Sequence, residues 1–420
     1  MFRYLVLVLA FLPATFAVPT IQAVGSKFFT SNGNQWFIKG IAYQLNEFDP
    51  LVDTNQCTTD ANLMKTLGTN AIRVYHVDAS QNHDGCMKAF SDAGIYLFVD
   101  LDTFTTYILG DNPTWNQTQF EKYSAVMDTF AKYDNTAGFF VGNEVITNYT
   151  QGASAAYIKA AARDMKAYRT SKGYRQIPVG YSAADIAELR PMLQNYLVCG
   201  GNASEAIDFF SLNSYEWCGP VDYMSSGYSN LQAEAAKYPI PIFFSETGCN
   251  KPEPRTFADQ AAIFGPQMVD TWSGSIIYEW IQEQNDYGLI SYGGSVEDPV
   301  RSGTPQPVAP DFTNLQAAWS VQPSGVQLSD YTKSAASLST PACPSSTANG
   351  WPINGNPAIP AIGKQFDITG SSLPSATAST TSSGTASPSA SGKSAASGGK
   401  GIASVTLGLA IAMAGVIVLL

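Results

Sequence analysis

Two short apolar runs of this chain each lead into a glutamate. One reads Phe139-Phe140-Val141-Gly142-Asn143-Glu144 and the other Ile242-Phe243-Phe244-Ser245-Glu246-Thr247-Gly248. Two carboxyls facing one space can divide the work of breaking a glycosidic bond. One protonates the leaving oxygen, the other attacks the anomeric carbon, and a retaining pair stands roughly 5–5.5 Å apart. The acid must hold its proton near neutral pH. Its pKa should therefore be raised, most simply by the charge of the other carboxylate. An amide such as Asn143 beside the acid can hydrogen-bond the sugar 2-OH, a contact that strengthens in the transition state. Either glutamate alone is as readily a helix cap or a surface residue. The two together are far more specific.

The elements around them read as alternating strands and helices. Eight short apolar runs recur: Trp36–Tyr43, Ala71–His76, Tyr96–Leu101, Gly138–Val141, Ile177–Tyr181, Phe209–Leu212, Ile240–Phe244 and Ser275–Glu279. Their length and near-continuous apolar character suit strands buried on both faces. Between them, Asp60–Leu67, Gln119–Tyr133, Ala153–Thr170 and Phe257–Trp272 carry apolar residues at helical spacing. Eight parallel βα units predict a (β/α)8 TIM barrel spanning residues 18–310, whose site lies at the C-terminal ends of the strands. The fourth and seventh strands then carry Glu144 and Glu246 to the barrel mouth. A doubly wound open sheet is the alternative, but no Gly-rich phosphate turn follows the first strand.

The ends read as addresses. Met1-Phe2-Arg3, an apolar run from Tyr4 to Leu12 and small residues to Ala17 form a secretory signal over 1–17. Beyond Asp311 the strand–helix pattern decays, and 311–368 reads as an extension packed on the barrel. Residues 369–400 form a disordered Ser/Thr/Gly-rich stalk. Small residues, a polar spacer and the apolar run Ile402–Leu420 (401–420 as the tail to be removed) fit a GPI anchor attached near 390–394. With a secretory signal, the six cysteines Cys57, Cys86, Cys199, Cys218, Cys249 and Cys343 read as a disulfide framework, its connectivity open. No Cys-x-x-Cys or His-x-x-x-His spacing occurs, so neither a metal nor a cofactor is expected. Asn116, Asn148 and Asn202 begin N-glycosylation sequons. The net charge of −11 argues against a nucleic-acid partner.

Several segments carry a resemblance. Gly-Ile-Ala-Tyr-Gln at 40–44, Arg-Val-Tyr at 73–75, Val-Gly-Asn-Glu at 141–144, Ser-Glu-Thr-Gly-Cys at 245–249 and Ile-Tyr-Glu-Trp at 277–280 resemble the fungal β-1,3-glucanosyltransferases of glycoside hydrolase family 72. The layout of the two glutamates is also that of the large barrel clan of retaining β-glycosidases. The resemblance covers about Ala23 to Asn356, in the shorter branch without a Cys-rich carbohydrate-binding module. It implies Glu144 as acid/base, Glu246 as nucleophile, and transfer of a glucan fragment from Glu246 to the non-reducing end of another β-1,3-glucan. It implies disulfides Cys57–Cys86, Cys199–Cys343 and Cys218–Cys249. It also implies donor-site roles for Tyr75 and Tyr278, and sugar contact by Asp185 and Arg190.

On chemistry alone, a tyrosine can bond the nucleophile or stack on a sugar, and equally fill the core. Asp185 and Arg190 can equally pair with each other. Gln44, Asp100, Asp102 and Tyr215 stand at strand ends facing the mouth, while His76 and His83 read as structural. Two other readings use the same residues or none of them: a hydrolytic β-1,3-glucanase, and a non-catalytic surface glycoprotein. A monomer acting on glucan donor and acceptor chains, and held at the outer face of the plasma membrane or in the wall, is the expectation.

Overall fold

The protein is described by a computed structural model, whose described residues are 18–45, 49–348 and 350–368. The secretory signal, the stalk, the anchor site and the apolar tail fall outside them. Eight parallel strands close into a barrel. They are β1 (Ile38–Ala42), β2 (Ala71–Val74), β3 (Tyr96–Asp100), β4 (Thr136–Asn143), β5 (Val179–Ala184), β6 (Phe209–Asn213), β7 (Ile242–Thr247) and β8 (Trp272–Ile277). Each strand is followed by a helix: α1 (Thr54–Leu67), α2 (Asp84–Asp92), α3 (Gln117–Phe130), α4 (Ala155–Ser171), α5 (Arg190–Val198), α6 (Tyr228–Ala235), α7 (Asp259–Ile263) and α8 (Asp311–Ala318).

All eight expected strands form, with ends that move by a few residues. Two helices differ more. The expected helix Phe257–Trp272 contracts to α7, because Gly265-Pro266 breaks the run: Pro has no N–H to donate and clashes with the turn before it. Residues 311–318, read as the start of the extension, form the helix after β8 and pack against α1.

The barrel interior is built in layers, because alternate residues of each strand point inward. At the bottom Phe98, Phe140, Phe209 and Phe243 meet with centroids 5.2–6.4 Å apart. An N-terminal hairpin, Ile21–Val24 paired with Lys27–Thr30, plugs this end with Phe28, which contacts Phe98, Phe209 and Phe243. Gly180 makes room for that layer, since a Cβ there would lie 2.4 Å from the Phe209 ring. A larger apolar shell lies between strands and helices.

Beyond α8, helix α9 (Leu328–Ala335) returns to the hairpin, where Tyr331 packs on Phe29. The chain then crosses the α3–α5 side. Cys343 is bonded to Cys199, Trp351 is fully buried against Tyr196, and the Gly363 N–H donates to the Trp115 carbonyl. The other disulfides are Cys57–Cys86, which ties α1 to α2, and Cys218–Cys249, which ties the loop after β6 to the loop after β7. No helix among the described residues is long and apolar enough to cross a membrane.

Candidate active site

Above the phenylalanine layer the interior turns polar. Arg73 in β2 is fully buried, and a buried charge survives only when paired and hydrogen-bonded. Its guanidinium grips Asp100 of β3 with two bonds, Nε–Oδ1 at 3.1 Å and Nη2–Oδ2 at 2.8 Å. It also donates to Ser182 Oγ, to the Ser245 carbonyl and to Asn143 Oδ1. Its faces lie on the rings of Tyr75 and Phe140, 4.4 and 4.3 Å from their centroids. Burial pushes the Asp100 carboxyl up, against the pull of Arg73.

Both glutamate strands break register just before the mouth. In β4 the pairing passes from Phe140–Gly180 to Asn143–Ser182. In β7 it passes from Leu212–Phe244 to Asn213–Glu246. Each shift inserts one residue, which lets consecutive side chains face the interior where strict alternation would send one outward. Ser245 and Glu246 thus both point inward. Glu144 has a left-handed φ of 47°, uncommon for a residue with a Cβ, and its N–H is held by the Ser182 carbonyl at 2.9 Å.

Glu246 is surrounded by donors. Tyr75 Oη donates to Oε1 and Tyr215 Oη to Oε2, both at 2.9 Å, and Arg73 Nη1 stands 3.5 Å from Oε1. Donors on both oxygens suit an ionised carboxylate. Burial pushes its pKa up to about 7; Arg73 pulls it down, the charge of Glu144 adds to the rise, and the two phenols lower it. The phenols of Tyr75 and Tyr215 are pushed well above their usual range, first by burial and then by Glu246, so they remain protonated donors. Asn213 holds the Glu144 carboxyl. Its Nδ2 donates to Glu144 Oε1 at 2.8 Å and to Asn143 Oδ1 at 3.0 Å, and its strand neighbour is Glu246.

The other expected residues divide. Tyr278 lies one residue past β8 and meets Tyr287 edge-to-face at 5.5 Å, and Tyr287 meets Tyr215 at 5.6 Å. Gln44 accepts from the Tyr75 N–H at 3.2 Å. Asp100 lies beneath the mouth, bound to Arg73. Asp102 has an enclosed Oδ1, and burial together with Asp100 pushes its pKa well up. Asp185 and Arg190 are bonded to each other, and Arg190 Nε also donates to Glu234 at 2.8 Å. His83 Nε2 meets Asp49 at 2.6 Å, and His76 stacks on Phe104. Burial, assisted by Arg73, lowers the His76 pKa to about 4. The described residues hold no cluster of metal ligands.

The sequence reading assigns no role to Arg73, Asn213, Glu279 or Tyr287, although Arg73 and Glu279 lie within segments it quotes. The signal for Arg73 is its own placement, a charge inside an apolar strand. Glu279 is buried and pushed up to about 8, chiefly by burial and then by Glu283; Asn285 donates to it at 2.6 Å. Asn213, ending a run of apolar residues, carries no comparable mark.

Comparison with known proteins gives this geometry a setting. Residues 11–320 match the family model described as glucanosyltransferase, glycoside hydrolase family 72. Protein EPD1 of Candida maltosa is 43% identical over 341 residues, covering 79% of this chain and 60% of that protein. The 1,3-beta-glucanosyltransferase gas2 of Schizosaccharomyces pombe is 42% identical over 348 residues, covering 79% of this chain and 73% of its own length. A structure of a Glu-to-Gln variant of Saccharomyces cerevisiae Gas2p, in complex with laminaritetraose and laminaripentaose, has a TM-score of 0.74. It is 38% identical and covers 82% of this chain and 75% of that one. The chain spans about three fifths of the length of several curated relatives, 60% for the Candida maltosa protein and 62% for pH-responsive protein 2 of Candida albicans. By the family match and these identities, this chain belongs to the glucanosyltransferases of glycoside hydrolase family 72.

Proposed function

We propose that the chain is a retaining β-1,3-glucanosyltransferase working by double displacement. The observation that carries the reading is the donor cage around Glu246, with Glu144 bonded to Asn213 on the neighbouring strand. Glu144 gives a proton to the departing glucosidic oxygen while a Glu246 oxygen attacks the anomeric carbon. The old β-bond breaks and an α-linked glycosyl ester forms on Glu246. Glu144, now a base, takes the proton of an acceptor hydroxyl, which attacks the same carbon and frees Glu246. Two inversions restore the β configuration. The transferred piece carries the new reducing end, and the acceptor's non-reducing end is lengthened.

The supporting roles follow from the contacts. Tyr75, Tyr215 and Arg73 hold the Glu246 carboxylate in one orientation. Asn143 spends its Oδ1 on Arg73 and Asn213, which leaves its Nδ2 for the sugar 2-OH. Tyr278 and Tyr287 offer ring faces to the sugar. Asp185 and Arg190 stand at the mouth beyond β5, where their paired polar atoms suit sugar hydroxyls. We also propose, from the apolar runs at 4–12 and 402–420, that the chain enters the secretory pathway, is held by a GPI anchor at the outer face of the plasma membrane, and acts there as a monomer.

The test is the size of the products. A reduced laminarin-type oligosaccharide incubated with the enzyme should yield chains longer than the substrate. Only shorter products at high substrate concentration would make the protein a hydrolytic β-1,3-glucanase with the same two carboxyls.

A further inference from the structure

The loop between β3 and α3 carries three large side chains that water should not see. Phe104 is 47% exposed, Tyr107 46% and Leu109 51%. Together with Thr106, Asn116 and Thr118 they line a groove of about 620 Å³. Exposed apolar side chains gathered in one place mark an interaction surface. The same groove contains a sequon, Asn116-Gln117-Thr118.

The loop and the sequon are locked together by Gln119. Its Oε1 accepts from the Asn116 N–H at 2.8 Å, and its Nε2 donates to the Tyr107 carbonyl at 2.8 Å. Asn116 caps α3 through its carbonyl oxygen, which accepts from the Gln119 N–H. That leaves Nδ2, the atom that carries an N-linked sugar, without a protein partner among the described residues. The other two asparagines, Asn148 and Asn202, use Oδ1 in the same way, in local turns with Thr150 and Ser204, but neither lines this groove.

We propose that Asn116 carries an N-glycan whose first sugars lie on Phe104, Tyr107 and Leu109, so that the glycan is the missing cover of this patch. An N-acetylglucosamine has an apolar C–H face that suits an aromatic ring, and polar edges that suit the surrounding Thr and Asn groups. The tether begins in the lining of the groove, so the sugar arrives without the entropy cost of a free ligand. The ring contact of Phe104 with His76, 4.0 Å between centroids, holds one end of the platform against the rim of the barrel.

The experiment uses the full chain made in a eukaryotic secretory host. Glycopeptide mass spectrometry reads the occupancy of Asn116, and chymotryptic cleavage within residues 104–109 reads the exposure of the loop. Thr118→Ala removes the sequon but keeps the Asn116 cap, while Thr150→Ala and Ser204→Ala remove the other two. Asn116 should be occupied, and Thr118→Ala should speed cleavage of the loop by about fivefold or more, because proteolysis follows the open population. The two control variants should leave that rate unchanged. Enzymatic removal of glycans from the folded wild type should reproduce the Thr118→Ala rate, which guards against a folding defect in the variant. An unoccupied Asn116, or an unchanged rate in both the variant and the deglycosylated protein, overturns the proposal. So does equal protection of the loop by a laminarin oligosaccharide in wild type and variant, which would assign the groove to the glucan.

Discussion

Replacing Tyr215 by Phe removes one hydroxyl and leaves the ring that meets Tyr287. The hydroxyl donates to Glu246 Oε2 at 2.9 Å. A hydrogen bond to a charged group contributes roughly 1.5–3 kcal/mol. At about 1.36 kcal/mol per pKa unit, its loss should raise the Glu246 pKa by about 1–2 units. The starting point is about 7, where burial already holds it. As the proposed nucleophile, Glu246 must be ionised, so activity should rise with pH through this pKa. A higher pKa therefore moves the acidic limb of kcat/KM to higher pH. Well below the limb, the variant should be slower than wild type by about 10–100-fold, with the difference shrinking as pH rises. The quantity to read is the shift of the whole acidic limb. An acidic limb that stays in place, or moves to lower pH, would refute the reasoning that Tyr215 stabilises the ionised nucleophile.

Other consequences are equally direct. Arg73→Met leaves Asp100 buried without its partner and should cost about 3–5 kcal/mol of stability in urea unfolding; a loss below about 1 kcal/mol would deny the pair its structural role. Asp259, Glu246 and Glu279 have folded pKa values pushed up to about 6, 7 and 8, largely by burial. The folded state therefore binds protons that the unfolded chain has released, and the stability they contribute is lost as pH rises through 6 to 8. The melting temperature should be higher at pH 5 than at pH 8, and a rise across that window would contradict the assignment. The Cys199–Cys343 bridge spans 144 residues, so Cys343→Ser should cost about 2–5 kcal/mol and expose residues 340–368 to protease. Unchanged stability and protection would show that packing of Trp351 alone holds the extension.

The parts of this molecule that follow local rules were legible in its sequence. Runs such as Phe139–Val141 and Ile242–Phe244 are too apolar to be anything but buried, and eight of them between helices leave few folds. The carboxyls after two of those runs stood out because an ionisable group there needs a reason. What stayed hidden depends on register and on contacts between distant strands. No local pattern marks the extra residue in β7 that turns both Ser245 and Glu246 inward. The pairing of Asp185 with Arg190 was one of two readings, and only their proximity decides that they bond. A raised carboxyl pKa was expected on the acid. The structure lifts Glu246, because burial outweighs the nearby guanidinium and the two phenol donors. The short helix α7 departs from its own sequence pattern, because apolar spacing continues past Pro266, where the helical backbone cannot follow.

The central claim is that Glu246 becomes covalently attached to the sugar while Glu144 handles the proton. Glu144→Gln keeps the nucleophile but removes the base that completes transfer. A β-glucosyl donor with a leaving group that needs no protonation should therefore load this variant and stall there. Mass spectrometry of the digested protein should find one glycosyl adduct, on the peptide containing Glu246, and Glu246→Gln should show none. An adduct on another residue, or complete turnover in Glu144→Gln with no adduct, would contradict the account.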